Sequence, residues 1–101
     1  MSDKRILKLN ELLAVLRSEV PGTKGAFVIN PDGFILASDI DFEIDHYEIG
    51  RVFSILEKKG GKLSKKALRS PVIRVAIWSD KGDIQLFPLR NSIYLVVLSD
   101  F

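Results

Sequence analysis

Cysteine is absent from this sequence, and histidine, methionine and tryptophan occur once each. Without cysteine there is no disulfide framework, no thiolate metal site and no thiol nucleophile. The single histidine, His46, leaves little for a zinc site or a Ser-His-Asp triad. No apolar run approaches the ~20 residues needed to span a bilayer. A strong charge of one sign is also lacking. The 15 Lys and Arg against 13 Asp and Glu leave +2, too little by itself to argue for nucleic acid. The start, Met1-Ser2-Asp3-Lys4-Arg5, leads into a charged helical pattern and does not read as a signal peptide. What remains is a chain of 101 residues, 47% of them hydrophobic. That length fits a single domain over 1–101, and the apolar fraction is too high for a disordered chain. The expectation is a small cytoplasmic domain that is not an enzyme.

Periodicity predicts a helix over 4–20. Ile6, Leu9, Leu12, Leu13, Leu16 and Val20 recur at three- and four-residue steps. Ser2 or Asp3 can cap its start, and Pro21-Gly22 stops it. Residues 25–30 and 34–38 read as a hairpin around Pro31-Asp32-Gly33. Both strands are apolar on both pleat faces, so the sheet needs a cover on each side. Asp45 and Glu48 have capping-box spacing, with Ile44 and Ile49 as a hydrophobic staple. A helix then follows over 46–59, with Ile49, Val52, Phe53, Leu56 and Leu63 on its expected core face. Gly60-Gly61 is expected to break, kink or end it, although the pattern can be carried to Leu68. Residues 72–79, 83–89 and 93–99 read as three more strands. In the first of these, Ile73, Val75 and Ile77 form the expected core face. Pro88 marks a bulge or strand end, and Asn91-Ser92 a turn.

Few constellations suggest chemistry. The acids Asp39, Asp41, Glu43, Asp45 and Glu48 resemble a calcium loop only in spacing, because Ile44 stands where the loop needs glycine. Gly60-Gly61-Lys62 lacks the rest of a phosphate loop and follows a helix, not a strand. Ser79, Ser92 and Ser99 have no nucleophile-elbow glycines. No catalytic, cofactor or metal residue is assigned. Lys58, Lys59, Lys62, Lys65, Lys66 and Arg69 form a basic run without an acid. It reads either as a solvated helix end or as a patch for an acidic partner or a membrane surface. Nucleic acid is not expected there, since no aromatic is interleaved for base stacking. Tyr47, Arg51 and Ile55 fall off the core arc and read either as singly exposed residues or as a second contact face, and Gly50 reads either as a close backbone approach or as a chance glycine.

The order helix, strand, strand, long helix, strand, strand, strand resembles the roadblock domain, the family of dynein light chains and small-GTPase regulators. The residues that carry the likeness are Leu12-Leu13 to Glu19-Val20-Pro21-Gly22, Gly25 to Ile29, Asp32 to Ser38, Leu86 to Leu89 and Tyr94 to Asp100. The resemblance implies an α+β fold with a five-stranded antiparallel sheet in the order 2-1-5-4-3. The N-terminal helix lies on one face and the long central helix on the other. The third, C-terminal helix of many relatives is absent, so the first helix must cover its face alone or with help. It also implies a homodimer, or a pair with a related roadblock chain, built on the long helix and the third strand. On this sequence the expected dimer or partner residues are Tyr47, Gly50, Arg51, Ser54, Ile55, Lys58, Arg74, Ala76 and Trp78. The implied function is binding and regulation of a Ras-like small GTPase without catalysis or cofactor. A constitutive scaffold or adaptor subunit is the alternative, and a small-molecule sensor a weaker one. Peripheral membrane contact through 58–69 is a further expectation.

Overall fold

The computed structural model describes residues 3–40, 43–90 and 92–100. The order is α1 (Asp3–Glu19), β1 (Thr23–Ile29), β2 (Ile35–Ile40), α2 (His46–Leu68), β3 (Val75–Ser79), β4 (Gly82–Pro88) and β5 (Tyr94–Asp100). The strands form one antiparallel sheet in the order β2-β1-β5-β4-β3, as the resemblance implies. Ser2, Asp41 and Asn91, which carry a helix cap, an acidic position and a turn in the sequence reading, lie outside the described residues.

Pleating divides the sheet into two faces. Phe27, Ile29, Leu86, Val96 and Leu98 point to one side and pack with Phe53 of α2. Ala26, Val28, Ala37 and Ile93 pack with Leu13 on the other side, under α1. β1 is therefore buried on both faces, as its unbroken apolar sequence predicts.

The hairpin turn is held by Asn30, whose side-chain oxygen accepts from the N–H groups of Asp32 and Phe34, both at 3.0 Å. Asp45 caps α2, its carboxylate accepting from the Glu48 N–H at 3.0 Å. Glu48 pairs with Arg51 instead of returning to Asp45. Ile44 and Ile49 both pack against the core beneath this cap, as a staple requires.

Three expectations change. α2 does not stop at Gly60-Gly61 but runs 23 residues to Leu68. Neither glycine has a positive φ, so both take ordinary helical conformation. The stop comes later, where Arg69 takes the left-handed conformation (φ 54°) and donates to Lys65 O at 3.1 Å. Pro71 then disfavours helix at Ser70. β3 starts at Val75, because 71–74 carry the chain from the end of α2 to the sheet edge. Of its expected core face, Val75 packs on the core, but Ile73 is 83% exposed and Ile77 is also exposed. On α1, Leu13 is buried and Leu9 and Leu16 partly so, while Leu12 and Val20 are exposed. The reason is that α1 rests mainly on β1 and β2. Beside it, Leu16, Val20, Phe87, Leu89, Leu95 and Val97 line an open apolar groove of about 460 Å³. The first helix does not cover its face alone.

Candidate interaction surface

The strand order leaves β2 and β3 as the sheet edges. β2 is guarded by polar chemistry. Asp39 lies there, and Arg17 of α1 reaches it at 3.0 Å. β3, Val75-Ala76-Ile77-Trp78-Ser79, carries no charged side chain. It bonds β4 on one side, and its Ala76, Ile77 and Trp78 are all exposed, Trp78 to 64%. An apolar edge of this kind is a template for another strand.

The pairing register separates the strand residues. Ala76 lies opposite Gln85, Gln85 opposite Val97 and Val97 opposite Ala26, so Ala76 and Trp78 belong to the α1 side. Ile77 lies opposite Ile84 and Ile84 opposite Leu98, so Val75 and Ile77 belong to the α2 side. Arg74 is exposed but lies just before the strand.

α2 has two distinct flanks around its buried line of Gly50, Phe53 and Ser54. At about 100° per residue, Val52, Leu56 and Leu63 fall within about 40° of one another. All are exposed, Leu63 to 67%. They extend the apolar surface of β3, although their periodicity predicts them in the core. Lys58, Lys62 and Lys65 lie on the other flank, where they line a cleft with Pro71, Val72 and Tyr94. Burial, the negative charge of Glu57 and a hydrogen bond to it hold the Tyr94 phenol above its ordinary pKa.

The nine residues singled out from sequence do not form one patch. Gly50 and Ser54 are turned inward. A Cβ on Gly50 would stand 2.7 Å from Gly33 O, and the Ser54 hydroxyl donates to Pro31 O. Both serve the seat of α2 on the hairpin. Tyr47, Arg51, Ile55 and Lys58 are exposed on α2. The Tyr47 ring stacks on His46 with centroids 4.7 Å apart, and His46 in turn meets the edge of Phe27. This gives His46 a structural place in the first turn of the helix. Arg51 pairs with Glu48, and Lys58 lies 3.9 Å from Asp32.

Sequence reasoning missed Val52, Leu56, Leu63, Ile73 and Ile77 as surface residues. The available signal was excess. α2 and β3 carry more apolar side chains than one sheet face can cover.

No protein-family model matches the sequence, and no curated protein matches it. Solved structures do. The roadblock/LC7 domain from Streptomyces avermitilis superimposes with a TM-score of 0.83 at 19% identity, over 91% of this chain and 78% of that one. Myxococcus xanthus MglB gives 0.87 at 18% identity, over 99% and 75%. The gliding protein MglB from Thermus thermophilus gives 0.78 at 16%, over 96% and 72%. Likeness at these identities speaks for architecture, and with the observed strand order it establishes that this chain has the roadblock/LC7 fold.

Proposed function

We propose that this chain is a homodimeric interaction module that binds and regulates a Ras-like small GTPase, with no catalytic residue of its own. The observation that carries the reading is the open apolar edge of β3, together with the exposed apolar flank Val52, Leu56 and Leu63 of α2, a helix that contacts β3. A second copy covers both at once. Antiparallel pairing of β3 with its counterpart continues the sheet and lays the two long helices side by side. Charge favours the same arrangement. Asp45 and Glu48 stand at the start of α2 and Lys59 and Lys66 near its end, so antiparallel helices set acid against base.

The roadblock resemblance is what supports the GTPase partner. Tyr47, Arg51 and Ile55 are the exposed α2 residues assigned to it. Regulation requires different affinities for the two nucleotide states. The test is capture of Ras-like GTPases from the source organism, each loaded with GDP or with a non-hydrolysable GTP analogue. Preference for one state supports the regulator. Equal capture of both states removes it and leaves a constitutive scaffold.

A further inference from the structure

The cleft flank of α2 carries a second surface, which the pairing above leaves uncovered and which does not depend on it. The C-terminal half of α2, the segment 69–74 and the end of β4 meet here. They enclose a cleft of about 510 Å³, with Lys58, Lys62 and Lys65 on one wall and Pro71, Val72 and Leu89 on the other. Glu57 also lines the cleft, beside Tyr94, and sets one negative charge against these lysines. Around the cleft basic residues predominate. Arg69, Arg74 and Arg90 are exposed, and no Asp or Glu occurs from 58 to 79. Among the described residues, Lys58 alone of the lining lysines is within ion-pair distance of an acid, the exposed Asp32 at 3.9 Å.

Lysines at a helix end are ordinary, since they complement the negative pole of the dipole. The apolar residues among them are not explained that way. Leu68 is 74% exposed, Ile73 is more exposed still, and Leu89 opens onto the cleft. Cations around protruding aliphatic side chains are what a bilayer interface selects. Each Lys or Arg near an anionic leaflet tightens binding about fivefold, and apolar side chains enter the headgroup–acyl boundary. A partner held by charge alone would leave Leu68 and Ile73 in water. Nucleic acid would find no aromatic between 58 and 74 on which to stack a base.

We propose that this end of the molecule docks on an anionic phospholipid bilayer. The lysines and arginines meet lipid phosphates, and Leu68, Ile73 and Leu89 enter the boundary layer.

Co-sedimentation of the protein with vesicles tests it. One set is phosphatidylcholine alone and the other is phosphatidylcholine mixed with phosphatidylserine. Binding is expected to be at least ~10-fold tighter to the mixed vesicles and to fall steeply with added salt. The pair Lys62→Glu with Lys65→Glu is expected to weaken it by ~10-fold or more. The pair Leu68→Ser with Ile73→Ser keeps every charge and is expected to weaken it by ~5-fold. All four positions lie at the surface, and a thermal melt of each variant confirms that it folds. Equal binding to both vesicle types, or binding to neither, overturns the proposal. Unchanged binding by the serine pair overturns it as well, because the surface would then be a plain polyanion site for an acidic protein or nucleic acid.

Discussion

Gly33 and Gly50 meet backbone to backbone. A Cβ on Gly50 would lie 2.7 Å from the Gly33 carbonyl oxygen, and one on Gly33 would lie 2.9 Å from that of Gly50. Gly33 also has φ +89°, which side-chain-bearing residues rarely adopt. This contact seats α2 on the β1–β2 hairpin and sets which side of the helix faces the sheet. Gly50→Ala is expected to destabilise the fold by about 1–3 kcal/mol, the range for overpacking a closed contact. A urea melt reads this as a lower midpoint. A gain in stability, as for a glycine in an open helix, would contradict the close approach.

Gly60 and Gly61 are the controls. A Cβ at Gly60 would meet Val72 at 4.0 Å, and one at Gly61 would meet the Glu57 carboxylate at 3.9 Å. Both are ordinary contacts. Alanine at either position is expected to stabilise by up to about 1 kcal/mol, the helix-propensity difference. A loss at either position would mean that the helix needs a glycine there.

Arg69 ends α2 in a conformation that suits glycine. Arg69→Gly removes the clash between Cβ and backbone and is expected to stabilise by about 1 kcal/mol. The same melts measure it. A loss of stability would mean that the arginine side chain contributes more than its backbone strain costs.

Tyr94 gives an alkaline limb to stability. Its folded pKa is raised above the ordinary value of 10.0, so the unfolded chain gives up this proton first. The unfolded state then binds fewer protons, and stability falls as pH rises. The contribution is fully present below pH 10 and is lost as pH climbs from there towards the folded pKa. Tyr94→Phe is expected to flatten that limb relative to the parent protein in melts taken across the alkaline range. An unchanged limb would remove Tyr94 as its cause.

Much of this architecture was legible in local chemistry. The turn at Pro31-Asp32-Gly33, the Asp45 cap and the two-sided burial of β1 each follow from a few residues with one physical role. The facing of α2 was not legible. Ile49, Val52, Phe53 and Leu56 make a plausible core stripe, and periodicity alone places its centre on Ile49 and Leu56, with Val52 and Phe53 at its edges. The Gly33–Gly50 contact turns the helix so that Gly50, Phe53 and Ser54 face inward and Val52 and Leu56 move to the flank. Two residues without apolar side chains thus occupy buried positions, and no hydrophobic pattern can mark them. β3 misled for a related reason. An apolar strand has the same alternation whether its cover comes from its own chain or from elsewhere.

A second copy of the chain covering β3 and the Val52, Leu56 and Leu63 flank is the central claim. The direct measurement is the solution mass by light scattering over a dilution series, for the parent protein and for Ile77→Lys with Leu56→Glu. Both positions of the variant are exposed, so its fold is expected to survive, and a thermal melt confirms that. The parent is expected at twice 11.3 kDa and the variant at 11.3 kDa. A parent protein that stays at 11.3 kDa at every concentration would contradict the dimer. So would a folded variant that keeps the doubled mass, because it would place the contact elsewhere on the molecule.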